Sequence, residues 1–131
     1  MIETIERYYL EIHLLEDLNC KKKPSEDYSL ELLDPKNFGL SKFLYKQVGK
    51  KYQWTDRLIW QDQKWESYLL SENIKTYIFK KNEDLVGYIE LIFNKKKKEC
   101  EIAYFGILEE FFGKNLGGYF LSESIKIIFK N

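Results

Sequence analysis

The chain has 131 residues, 44% of them apolar and 17% aromatic, enough for one folded domain with a real core. Its 21 lysines and arginines balance 21 aspartates and glutamates, so no global field draws in nucleic acid or acidic lipid. No run approaches the ~20 apolar residues that cross a bilayer, and the opening MIETIERYYLEIHLL lacks the basic start and unbroken apolar run of a signal peptide, so the cytoplasm is the expected compartment.

Tyr9 to Leu15 alternates, with Leu10, Ile12 and Leu14 on one face, and predicts a half-buried strand. Asn19 to Asp27, with Pro24 inside it, reads as a loop. Tyr28 to Leu33 predicts a second short strand. Asp34-Pro35 has the chemistry of a helix start, because Asp accepts from free amides and Pro suits the first helical position. Leu40, Phe43, Leu44, Gln47 and Val48 then form one helical stripe, and Gly49 predicts its stop.

Lys50 to Trp60, KKYQWTDRLIW, is aromatic and charged at once. A second helix is predicted over Gln61 to Leu70, with Trp65, Tyr68 and Leu69 on one face. Then the period changes. Thr76 to Lys80, Leu85 to Phe93 and Glu99 to Ile107 read as strands joined by short polar segments, which predicts an antiparallel meander. Lys95 to Lys98, the one charge run, fits a solvated hairpin tip. A final helix starts at Leu116. The order strand, strand, helix, helix, three strands, helix predicts an α/β domain of α+β type, its central sheet mixed but mostly antiparallel and flanked by helices.

The two cysteines, Cys20 and Cys100, lie far apart, and His13 is the only histidine. Neither a zinc site nor a Cys/His or Ser/His pair is supported by that spacing, and no metal is expected.

The informative segment is Ile102 to Leu121, IAYFGILEEFFGKNLGGYFL, which runs strand, turn, glycine-rich loop, helix. Glycines let a ligand approach the backbone amides, and the following helix adds its own free N–H groups and the positive end of its dipole. A diphosphate fits such a place; a plain strand-to-helix turn has the same pattern. The segment matches neither the P-loop nor the dinucleotide fingerprint, since no Gly-Lys-Ser/Thr follows and the preceding strand belongs to a meander.

Phe112-Gly113-Lys114-Asn115-Leu116-Gly117, followed by Gly118, resembles the Gln/Arg-x-x-Gly-x-Gly/Ala loop of the GNAT acyltransferases. FLYKQVG (43–49), YQWTDRL (52–58), GYIEL (87–91) and EIAYFGILEEFFGKNLGG (101–118) also look like one bacterial branch of that family, over about half the chain. Phe112 and Asn115 depart from the pattern, standing where Gln or Arg and a Gly are usual. The resemblance implies a single GNAT domain over 1–131, with acetyl-CoA as cosubstrate. Phe105, Gly106 and Ile107 would then pair with pantetheine, and Gly113, Lys114, Asn115, Leu116, Gly117 and Gly118 would hold the diphosphate, Lys114 being equally a solvated lysine.

The acceptor implied is a small-molecule or peptide amine. Trp54, Asp56 and Arg57 resemble the acceptor-side loop: Asp56 would attract the cationic amine and Trp54 would wall its pocket, or Asp56 caps the second helix and Trp54 is core. Glu90 and Glu101 interrupt apolar strands and are the candidate general bases, unless they form cross-strand ion pairs with lysines. Tyr104 is a candidate acid, or a core aromatic. Both faces of Glu99 to Ile107 read as apolar, with Ala103, Phe105 and Ile107 on one and Cys100, Ile102 and Tyr104 on the other, which predicts an inner strand. The family's following strand, helix and strand are not seen before Asn131, so a shortened domain is expected, or a second copy completing the sheet edge. A non-catalytic module built on the same fold is the alternative to an enzyme.

Overall fold

The computed structural model describes residues 27–114 and 116–130. The expected strand at Tyr9 to Leu15, the cysteine at Cys20, His13 and the loop residue Asn115 lie outside them. Among the described residues, four strands form one sheet in the order β1-β2-β3-β4: β1 Tyr28–Leu32, β2 Ile74–Lys81, β3 Asp84–Asn94 and β4 Glu99–Ile107. Every pairing among the described residues is antiparallel, so the mixed character expected of the sheet does not appear there. Helices α1 (Phe38–Tyr52) and α2 (Asp62–Leu69) stand between β1 and β2, and α3 (Leu116–Lys130) follows β4.

The sheet is covered on both faces. On one, α3 lays Leu116, Tyr119 and Phe120 against Tyr28, Phe79, Ile89, Leu91 and Ile107. Phe79 and Phe120 stack there at 4.3 Å with their planes 7° apart. On the other, Leu44 and Val48 of α1 meet Ile78 and Tyr88, while Tyr45 packs with Trp65 and Leu69 of α2. Seventeen large apolar side chains are buried in these clusters, each contributing roughly 1.5–3 kcal/mol.

Three local expectations are corrected. Helix α1 begins at Phe38, because Asp34 turns its carboxylate onto the Lys36 amide at 2.9 Å and its carbonyl onto the Asn37 amide at 2.8 Å, closing a separate turn first. Gly49 does not stop α1. The helix runs to Tyr52 and ends at Gln53, whose φ of 58° is left-handed and whose follower Trp54 donates to the Gly49 carbonyl at 3.0 Å. Gly49 is a packing residue: a Cβ there would stand 3.0 Å from Trp54 Cβ. The buried stripe is Ser41, Leu44, Tyr45 and Val48, one step round from the expected one, and Phe43 is exposed.

A fourth correction concerns β4. Its register with β3 shifts between Glu90↔Tyr104 and Leu91↔Ile102, leaving Ala103 as an extra residue. Such a bulge reverses the alternation. Cys100 therefore packs with Phe105 and Ile107 towards α3, while Tyr104 and Gly106 look towards α1. Glu101 and Ile102 are exposed, and among the described residues β4 pairs only with β3. The inner-strand reading is thus not met by the described strands.

Candidate acceptor and cofactor site

The loop from Gln53 to Gln61 carries the chemistry, and it is pinned to the sheet by Arg57. The Arg57 guanidinium donates to both oxygens of Glu90 on β3, Nη1 to Oε1 and Nη2 to Oε2, each at 2.7 Å. Tyr68 of α2 donates to Glu90 Oε2 at 2.8 Å and accepts from Arg57 Nη2 at 3.0 Å. Glu90 is 0% exposed and Arg57 7%. Four rings surround the cation: Tyr104 at 4.4 Å, Tyr68 at 4.5 Å, Trp60 at 4.6 Å and Trp65 at 5.5 Å. Burial alone would lower the Arg57 pKa, but Glu90 outweighs it and holds the charge firmly in place. This geometry takes Glu90 out of the expected role of base, since its oxygens are committed to Arg57 and Tyr68. The partner is Arg57 rather than a cross-strand lysine.

Next to Arg57, Asp56 points the other way and remains exposed. Tyr45 of α1 donates to Asp56 Oδ1 at 2.8 Å and accepts the Arg57 amide at 3.0 Å. Tyr104 of β4, just past the bulge, donates to Asp56 Oδ2. Burial pushes the Asp56 pKa up, yet the hydrogen bonds from Tyr104 and Tyr45 outweigh it and leave it below the ordinary value. Asp56 is therefore an anion at neutral pH, held by two phenols and with lone pairs left to accept from a cation. It does not cap α2, whose capping residue is Gln61. The Tyr104 phenol is held above its ordinary pKa, by burial first and by its bond to Asp56 second. Its proton is given to Asp56, which makes it a holder of that carboxylate rather than a ready acid. Trp54 is partly buried, packing edge-on to Tyr104 at 4.7 Å and stacked on Tyr45 at 5.8 Å. Tyr45 and Tyr68 were not anticipated as site residues from the sequence. The signal for Tyr45 is its place on the buried stripe of α1.

Beyond β4 the chain turns into the glycine-rich loop. Leu108 donates to the Val86 carbonyl at 2.7 Å, and one 3-10 turn over Glu109–Phe111 leads to Gly113, whose φ is 80°. That backbone region suits glycine and few other residues. A Cβ at Gly113 or Gly117 would meet nothing within 4 Å, so the loop's outer side is open. Lys114 and Gly118 are exposed, and Lys114 Nζ stands 5.4 Å from the Phe111 ring. Leu116 is buried at the head of α3, a fifteen-residue helix with no acidic residue in its first turn. The opening amides of such a helix lack intrahelical partners and carry partial positive charge. The Phe112 ring, 39% exposed, lies 6.4 Å from that of Tyr52 of α1.

Phe105, Gly106 and Ile107 lead straight into this loop. Phe105 faces α3, partly buried, and Ile107 is buried there. Gly106 is the point where α1 crosses the sheet, since a Cβ on it would lie 2.2 Å from Val48 Cγ1. Among the described residues, no group of three His, Cys, Asp or Glu is placed to hold a metal, and no helix is long and apolar enough to cross a membrane.

No protein of curated function matches the chain. Among solved structures it is similar to an aminoglycoside acetyltransferase from an uncultured soil metagenomic sample (TM-score 0.68, 9% identity, 82% of this chain and 74% of that one). It is similar also to an acetyltransferase from Thermus thermophilus (TM-score 0.59, 13% identity, 76% and 68%). A third is PaiA N-acetyltransferase from Thermoplasma acidophilum, solved with coenzyme A (TM-score 0.50, 19% identity, 78% and 73%). At these identities the likeness is one of fold. Residues 36–131 match the model of the Acetyltransferase (GNAT) family, and on that match the chain belongs to the GNAT acetyltransferases.

Proposed function

We propose that this chain moves an acetyl group from acetyl-CoA to a primary amine of a small molecule or peptide. The observation that carries the reading is Asp56. It is an exposed carboxylate of the Gln53–Gln61 loop, held ionised by Tyr45 and by Tyr104, which sits just past the bulge on the strand that leads into the glycine loop. An ammonium group seated on Asp56 would be brought close to β4, along which the CoA arm would run. The open shoulder at Gly113 and Gly117 and the amides opening α3 would receive the diphosphate, with Lys114 at its side.

The amine must lose its proton before it can attack. Glu101, exposed on β4 beside the bulge, is the base in this reading, directly or through water. The amine nitrogen then forms a bond to the thioester carbon and gives a second proton to water, the C–S bond breaks, and the thiolate takes a proton from solvent. Most of the rate comes from holding the two reactants together. A second copy of the chain covers the outer edge of β4, where Ile102 is 39% exposed. A monomer in sedimentation at working concentration contradicts that part.

Thiol release from acetyl-CoA, measured over a panel of amines that includes an aminoglycoside, tests the proposal. Glu101→Gln is expected to abolish turnover and leave acetyl-CoA affinity intact; unchanged turnover removes Glu101 from the mechanism. If acetyl-CoA fails to bind at all, the chain is an interaction module on a GNAT fold. Glu109 and Glu110, acidic at the mouth of the loop, are the feature that favours this second reading.

A further inference from the structure

We infer that the acceptor is a monocationic amine carried on an aromatic or flat apolar body. This rests on the proposed placing of the acceptor at Asp56 and adds its chemical class. Two observations converge. The first is the charge inventory of the acceptor loop. Asp56 and Glu90 are the two carboxylates in its hydrogen-bond network, and Glu90 is wholly taken by Arg57, leaving one negative charge for a ligand. One ammonium is matched at Asp56; a second would find no free carboxylate within the network, Glu101 of β4 lying outside it and being given over to the proton of the reacting amine.

The second observation is a run of rings leading away from Asp56. Tyr104, whose hydroxyl holds Asp56, packs against Trp54 at 4.7 Å. Trp54 stacks on Tyr52 at 5.6 Å with planes 22° apart, and Tyr52 stands 6.4 Å from Phe112 at the glycine loop. Tyr52 is 48% exposed and Phe112 39%, so the far half of the run faces solvent. A ring surface of this kind rewards a flat apolar body and an organic cation. A polyhydroxylated body would lose water there without gaining hydrogen bonds.

Calorimetric binding of 2-phenylethylamine, propylamine and diethylenetriamine to the full chain tests this without any need for turnover. The aromatic monoamine is expected to bind at least about tenfold more tightly than either of the others. Tyr52→Ala, on the exposed rim, should cut that preference several-fold in a protein that melts as the parent does. Asp56→Asn should weaken all three amines. Equal binding of the triamine, no binding of any amine, or a preference untouched by Tyr52→Ala overturns the inference. Binding as expected with no thiol release from acetyl-CoA would defeat the acetyl-transfer reading and leave this one standing. Transfer to polycations alone would do the reverse.

Discussion

Replacing Arg57 by methionine keeps most of the side chain's length and removes its charge. The Glu90 carboxylate is then left 0% exposed, with Tyr68 as its remaining donor. Leaving one half of a buried ion pair uncompensated costs about 3–5 kcal/mol. For a chain of this size, 1 kcal/mol corresponds to roughly 4 °C in Tm, so a fall of about 12–20 °C is expected. Replacing the whole pair should cost far less, since well-packed apolar residues in place of a buried ion pair are often neutral, to within about 1–2 kcal/mol. The double variant Arg57→Met, Glu90→Leu should therefore melt well above Arg57→Met alone. Circular dichroism melts of the parent, both single variants and the double variant give the coupling directly. If Arg57→Met melts within about 3 °C of the parent, or the double variant is simply the sum of the singles, the pair is not buried and coupled as described.

Three further outcomes follow from the same packing. Gly106→Ala puts a Cβ 2.2 Å from Val48 Cγ1 and should cost about 1–3 kcal/mol in urea denaturation; a neutral result means α1 does not cross the sheet there. Because the Asp56 pKa is lowered in the fold, its contribution to stability is fully present above the ordinary value of 3.8 and is lost as pH falls through the lowered value. Asp56→Asn should flatten that acid limb, and an unchanged acid limb contradicts the phenol bonds. Five of the ten tyrosines, Tyr45, Tyr68, Tyr77, Tyr88 and Tyr104, are held above the ordinary value of 10.0, chiefly by burial. Their share of stability is complete below that pH and disappears as pH rises through the raised values, so these five should add no phenolate absorbance at the ordinary value until the fold opens. Ten tyrosines titrating together while the fold persists would contradict this burial.

The meander was legible because its connections are short and polar and its strands are apolar enough to break the helical period. The last helix was legible because a glycine-rich segment precedes a clear apolar stripe. The start of α1 was not, because Asp34 can serve either a helix or a tight turn, and Pro35 suits both. The faces of β4 were misread because a bulge at Ala103 leaves no mark on simple alternation. Arg57 and Glu90 are 33 positions apart, so no local pattern joins them. Yet Glu90 is the lone charge of GYIELIF and Arg57 is the lone cation of WTDRLIW, and two opposite charges are driven to neutralise each other when both are buried. Asp56 and Trp54 were picked out by resemblance. Only the fold shows that Tyr45 and Tyr104, from a helix and a strand, converge on that carboxylate.

Calorimetric titration of coenzyme A against pantetheine reads the central claim most directly, because the two differ by the nucleotide and its phosphates. Two charge-assisted amide contacts at the glycine loop amount to about 3–4 kcal/mol, so coenzyme A should bind at least roughly a hundredfold more tightly. Pantetheine binding as well as coenzyme A, or neither binding, would contradict a diphosphate site between β4 and α3.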